Sequence, residues 1–386
     1  MLTRTHVLTA ASPGTRRELT SLHFGTAASG PKAYVQASLH ADEVPAMLVA
    51  HHLRQRLQQL ETQGRVLGEI VLLPAANPVG LSQRLLQQPF GRFELGSGEN
   101  FNRHYPDLVA AVADEVEGQL TGDAAANIAT VRRALRSACA ALPATTELQS
   151  LRRQLLTLAV DADTLIDLHC DNEAVLHLYT TTPLWPQVAP LAAALGAPLT
   201  LLATRSGDEP FDEACSMIWS RLSEALAERD PDADALPEAC VAMTVELRGE
   251  ADVQHDTASN DAEALLRYLA WRGHLRLDAD TRIDQAGANP PAPDATRASR
   301  PLAGSMPVVA PHAGVWVPVA RLGDEVRAGQ PVAELIDPVS GRTSVLRSPV
   351  AGLLYARDNR RFVQAGQRVA KVAGHQALRQ GKLLSA

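Results

Sequence analysis

The chain has 386 residues, is 46% hydrophobic and 20% charged, and carries a formal net charge of −7. That composition excludes a disordered chain and leaves no basic surplus to grip a phosphate backbone, so no nucleic-acid partner is expected. No apolar run approaches the roughly 18–20 residues of a membrane helix, Thr and Arg break up any N-terminal signal, and four cysteines without CxxC spacing point to a reducing, cytoplasmic home.

In chain order, residues 33–39 (AYVQASL) read as a strand and 44–60 as an amphipathic helix. A strand follows at 69–74 (EIVLLP), then an Ala- and Leu-rich helical insertion at about 107–160. Further strands fall at 164–168 (TLIDL), 175–179, 199–203 and 240–247 (CVAMTVEL), and a helix at 261–275. Strands alternating with helices predict an α/β fold, a mixed sheet flanked by helices, over residues 1–280. Residues 281–302 are rich in Pro, Ala and Asp and read as a linker. Residues 303–374 form a second, small domain, and 375–386 a tail.

The second domain holds a weak internal repeat. APHAG at 310–314 precedes GDEVRAGQPVA at 323–333, and SPVAG at 348–352 precedes VQAGQRVA at 363–370. Short strands broken by Gly turns, repeated twice, suit a small all-β barrel or sandwich. The pattern resembles the biotinyl/lipoyl-type hairpin domain. Its tip, DPVSGR at 337–342, has no lysine to modify, so a structural or site-shaping role replaces the swinging arm.

Four motifs carry chemistry. In SLHADE, His40 and Glu43 stand three apart where a strand gives way to a helix. Both can face one point, which suits an imidazole nitrogen and a carboxylate oxygen on zinc. The competing reading is a solvated His and a Glu opening a helix. His51 and His52 lie mid-helix and read as surface residues. In DLH, His169 ends an apolar strand, where open α/β sheets place ligands; it is either a third zinc ligand or a polar strand end. Cys170 points to the other face, and His177 reads as packing. In TVELRG, Glu246 ends a strand and is either a surface charge or a proton acceptor beside activated water, with Glu250 its rival. Finally, NPVG at 77–80 leads to Arg84, and Asn102-Arg103 offers amide and guanidinium donors for a carboxylate.

HxxE, NP.G with an Arg, NR, DLH and a strand-end Glu occur in that order over about residues 30–275. The set resembles the zinc carboxypeptidase superfamily, and within it the succinylglutamate desuccinylase/aspartoacylase branch, in which a C-terminal β domain is also typical. The resemblance implies one Zn2+ per chain held by His40, Glu43 and His169, with Glu246 as general base. It implies Asn102 and Arg103 on a substrate carboxylate and Arg84 polarising the carbonyl, with Arg92 its rival. It offers Tyr355 as a site tyrosine from the C-terminal domain. Ala41 replaces the usual Gly after the first His, and Phe101 the usual Leu before NR.

The reaction so implied is metal-assisted hydrolysis of an amide in a small N-acyl amino acid. A metallocarboxypeptidase acting on peptides shares the same site. The second domain favours the deacylase by family analogy, since a β body over the cleft would exclude long chains. A non-catalytic binding protein on a hydrolase fold would require a lost ligand or base, and every motif position here holds a competent residue. A homo-oligomer is compatible with such folds.

Overall fold

The computed structural model describes residues 1–27, 30–230, 235–278 and 299–384. The chain divides into two compact units. One comprises Met1–His169, Asp208–Thr244 and the stretch from His255; the other comprises Cys170–Gly207, Val245–Gln254 and the C-terminal stretch. Strands Thr164–Asp171 and Val241–Gly249 each run on from the first unit into the second.

In the first unit the strand order is Leu2–Val7, Glu18–Gly25, Glu69–Leu73, Lys32–Ala37, Thr164–Asp171 and the start of Val241–Gly249. Leu2–Val7 pairs antiparallel with Glu18–Gly25, which pairs antiparallel with Glu69–Leu73. Lys32–Ala37 runs parallel to both its neighbours; helix Pro45–Thr62 is the crossover that carries the chain back to Glu69–Leu73, and the helical insertion precedes Thr164–Asp171. That helix starts on a proline and buries Ala46, Val49, Ala50, Leu53, Leu57 and Leu60, one face at helical spacing. Gly64, at φ +66°, takes the left-handed turn that ends it.

The helical insertion is three helices, Val109–Val116, Ala124–Ala141 and Glu147–Ala159. Asp123 caps the second, and a Thr146–Gln149 capping box opens the third. They share a core of Val112, Leu135 and Leu155 with Phe211, Trp219 and Leu222 from helices Phe211–Ser216 and Ile218–Arg229. The helix expected at 261–275 runs instead over His255–Trp271, starting in the polar stretch HDTASND and ending before Gly273 at φ +82°.

In the second unit, Leu199–Ala203 pairs in parallel with His177–Thr181 and with Ser299–Pro301. The last residues of the expected linker are therefore an edge strand, and 281–298 lie outside the described residues. The all-β body has two sheets. One is ordered Ser305–Val309, Arg368–Gly374, Gly352–Arg357, Glu325–Val326, with Glu173–Ala174 also on Gly352–Arg357. The other is ordered Thr343–Arg347, Pro331–Ile336, Gly314–Pro318, Phe362–Val363. Trp316, Leu335, Leu346, Leu354 and Val372 fill the space between them. The sequence repeat is visible as an exchange. The short strand Glu325–Val326 of the first half pairs with Gly352–Arg357, and Phe362–Val363 of the second half pairs with Gly314–Pro318. Among the described residues no helix is long and apolar enough to cross a membrane.

Candidate metal centre

Strand Lys32–Ala37 ends in a turn built around Ser38, which is buried at φ +58°, a conformation costly for any residue with a side chain. Hydrogen bonds hold it there. Ser38 Oγ donates to the Glu43 carbonyl (2.7 Å), and its N–H donates to the Leu168 carbonyl (3.2 Å). The Asn77 amide donates to the Leu39 carbonyl (2.8 Å), while its oxygen accepts from the Gly80 N–H (2.8 Å). The NPVG motif is thus a clamp on the HxxE turn. Gly91 closes the other side, with its carbonyl accepting from the Ala41 N–H (2.9 Å); a Cβ on Gly91 would lie 2.1 Å from the Asp42 nitrogen.

His169 comes from Thr164–Asp171, two positions beyond Asp167 and so on the same strand face. The turn and the strand bring three buried side chains together. His40 Nδ1 lies 2.9 Å from Glu43 Oε1, and His169 Nδ1 lies 2.7 Å from Glu43 Oε2. One donor atom from each of the three lies within 4.8 Å of the others. The far nitrogens are fixed as well: His40 Nε2 is 2.8 Å from Asn100 Oδ1, and His169 Nε2 is 3.1 Å from Asp167 Oδ2. An imidazole anchored through Nε2 keeps its ring orientation and turns Nδ1 to the common point.

The anchors are anchored in turn. Asp167 Oδ1 accepts from Gln36 Nε2 (2.9 Å), its partner across the parallel pair, and Gln36 Oε1 accepts from the Tyr34 hydroxyl (2.8 Å). Arg152, on helix Glu147–Ala159, donates to the Asn100 carbonyl (3.0 Å) and to Glu99 (2.7 Å). The insertion therefore supports the segment that holds His40.

Burial, aided by the Arg92 guanidinium, pushes His40 down to about 4, so its ring is neutral. Burial opposes charge on Glu43, yet the two imidazoles outweigh it and hold that carboxyl well below its usual range. Burial also opposes charge on His169, but Asp167 and Glu43 outweigh it and hold this imidazole well above its ordinary value. Two buried carboxylates around one imidazole recruit positive charge. Imidazole and carboxylate donors converging in such a field fit a divalent ion of the zinc type.

The remaining predicted residues are placed as follows. Arg92 Nη1 donates to Glu43 Oε1 (2.9 Å) and approaches His40 Nδ1 (3.2 Å). Arg84 is exposed, on a two-residue strand paired with Gln88–Pro89. Asn102 Nδ2 is 3.4 Å from His169 Nε2, and its oxygen accepts from the Phe211 N–H (2.9 Å). Arg103 is buried and donates to the Asn102 carbonyl (2.6 Å).

Within the second unit, Glu246 is half-buried on Val241–Gly249, near enough to Tyr179 and Lys371 to act on both electrostatically. Glu250 accepts from Asn172 and Asn359, one on each carboxylate oxygen (both 2.8 Å). Tyr355 is fully buried, its hydroxyl 2.7 Å from Ser305 Oγ and its ring against His177. His177 binds the Val175 carbonyl (2.8 Å), and burial pushes it down to about 4, a packing role.

Sequence reasoning missed Asn100 and Asp167 as anchors. Asp167 had a signal, an acidic residue two before a strand His; Asn100 had none beyond its nearness to NR. Replacing Asn100 by Ala removes the Nε2 acceptor of His40. It is expected to weaken metal affinity by about 10–100-fold, read by competition with a chromophoric chelator.

The model of the succinylglutamate desuccinylase/aspartoacylase catalytic domain matches residues 29–272. A solved succinylglutamate desuccinylase/aspartoacylase family protein from Shewanella amazonensis is 26% identical, with a TM-score of 0.79, over 97% of this chain and 98% of that one. A structure from Shewanella frigidimarina described by the same two names is 24% identical, with a TM-score of 0.80 over 97% of each chain, a likeness of fold. The product-bound ectoine utilization protein of Ruegeria pomeroyi shares the fold at 17% identity and a TM-score of 0.62, over 97% of this chain and 94% of that one. No curated protein matches the chain.

Proposed function

Since the chain belongs to the succinylglutamate desuccinylase/aspartoacylase family, we propose that it hydrolyses the amide of a small N-acyl amino acid or related amine, releasing a carboxylic acid and a free amine. The observation that carries this reading is the convergence of His40, Glu43 and His169, with both far imidazole nitrogens fixed.

Zinc suits this donor set, and when bound it supplies the Lewis acidity that activates water and polarises an amide carbonyl. The chain's own residues do the rest. His40, Glu43 and His169 hold the catalytic ion. Glu246, the strand-end Glu of the family motif, takes a proton from the attacking water and passes it to the leaving nitrogen. Arg92, already at Glu43, is the arginine we assign to the developing oxyanion in place of exposed Arg84. Asn102 and Arg103 orient a substrate carboxylate, and Tyr355 is kept as a further substrate residue through the family motif.

The likeness of the all-β body to biotinyl/lipoyl-type domains is also a proposal, with no carrier role, since its 337–342 tip has no lysine. Four free, buried cysteines fit a reducing, cytoplasmic compartment.

The test is a mass-spectrometric hydrolysis screen on zinc-loaded protein. It compares N-acetyl and N-succinyl amino acids with N-blocked dipeptides and longer peptides. Cleavage confined to small acyl amino acids is the expected result. Release of C-terminal residues from peptides would make it a carboxypeptidase. Loaded protein that cleaves none of them would sink the hydrolase reading and leave a binding protein.

A further inference from the structure

Helix Pro45–Thr62 carries two histidines, His51 and His52, outside the buried centre. The fold brings them a third from 203 positions away: His255, the first residue of helix His255–Trp271. His52 Nε2 lies 3.2 Å from His255 Nδ1, with the ring planes at 84°. His51 stands edge-on to His52, centroids 5.6 Å apart, and its own Nε2 faces Gln55. His51 and His255 are exposed and His52 is half-buried.

We propose that His52 and His255 form a second, exchangeable transition-metal site that takes an ion such as Zn2+ or Ni2+, with water completing its coordination. Two nitrogens bound to one tetrahedral ion at ~2.0–2.1 Å stand about 3.3 Å apart. The observed 3.2 Å matches that separation, so both rings can share an ion almost where they stand. In the metal-free chain one ring N–H points to the other ring's lone pair; on binding, the donating ring passes that proton through solvent to its own second nitrogen, so that both rings stay neutral and each offers the ion a lone pair. Partial burial, then His255 and His51, lower the pKa of His52, which leaves its lone pair available at neutral pH. Imidazole pairs favour borderline ions over Mg2+ and Ca2+, which prefer oxygen.

The site is the weaker of the two. Among the described residues, His40, Glu43 and His169 are the one set of three or more His, Cys, Asp or Glu residues with donor atoms gathered this closely. Two protein ligands in an exposed position let the ion come and go without the fold opening. Its effect is nevertheless structural, because the ligands lie on two different helices. An ion there ties Pro45–Thr62, which begins two residues after Glu43, to His255–Trp271. Binding to the folded chain alone stabilises it by mass action.

The inference does not depend on the hydrolase reading, and its test counts ions, not turnover. Equilibrium dialysis of the full chain against Zn2+ is expected to give one tight and one weaker class. H52Q and H255Q each lose the weaker class and keep the tight one, while H51Q keeps both. These exposed or half-exposed changes leave the apolar helix faces intact, and circular dichroism checks the fold. A wild-type chain that saturates at one ion overturns the proposal. So does a weaker class that survives either H52Q or H255Q, or one that H51Q also removes.

Discussion

Replacing His169 by Ala is expected to remove the tightly held ion and to lower kcat/KM by about three orders of magnitude or more. Lewis-acid stabilisation of the transition state is worth several kcal/mol, and each ~1.4 kcal/mol is tenfold in rate. The loss goes beyond one donor. Asp167 is fully buried and its Oδ2 faces His169, and Glu43 is buried with Oε2 toward the same ring. Removing the imidazole leaves two buried carboxylates without the cation between them, a change that typically costs about 3–5 kcal/mol. H169Q keeps most of the volume and an amide donor, so it separates loss of ligation from loss of folding. Metal content by atomic absorption and kcat/KM should be read on the same preparation, with circular dichroism as the check on folding. Full zinc occupancy in folded H169A or H169Q would refute the ligand assignment.

The ligand-like spacings at His40, Glu43 and His169 were legible, but each motif had an ordinary alternative, and the family resemblance is what selected the ligand reading. That His169 meets the HxxE turn depends on the pairing of two distant strands. Three positions across a turn and the end of an apolar strand are spacings that a sequence states directly. The same holds for the alternation of strands and helices and for the doubled β motif. What was not legible depends on register or on distant pairing. Gln36 reaches Asp167 because the parallel pairing sets those two residues opposite each other, and no local spacing says so. Arg92 reaches Glu43 because Gly91 lets the loop backbone lie against the HxxE turn. His52 meets His255 through the packing of two helices separated by most of the domain. Some elements hid behind ordinary signals. Helix Trp185–Leu195 contains Pro186 near its start and Pro190 inside it, both of which read as breakers. Strand Leu2–Val7 is almost wholly exposed and pairs on one side only, so its sequence lacks a buried-strand pattern.

Replacing Glu246 by Gln is expected to lower kcat by about 10²–10⁴-fold, the usual worth of a general base, while zinc content stays at the wild-type level. The two variants therefore divide the site by function: H169A loses ion and rate together, and E246Q loses rate alone. The strand end that carries Glu246 is built for fixed placement. Arg248 is held at φ +68°, and the Gly249 N–H donates to Asp252 (2.9 Å). A Cβ on Gly249 would stand 2.9 Å from the Asn172 carbonyl oxygen, so the backbone there has little room to shift. Glu250, the rival, is committed through both oxygens to Asn172 and Asn359. E250Q can keep one of those contacts and has no proton to move, so its kcat should stay near wild type. The pH profile adds a readout that a structural role would not give. A carboxylate base makes kcat/KM fall on the acid side as it protonates, and E246Q should lose that limb from its residual activity. Wild-type turnover in E246Q, or a drop shared equally by E250Q, would remove Glu246 from the mechanism and leave the metal-held site in need of another proton acceptor.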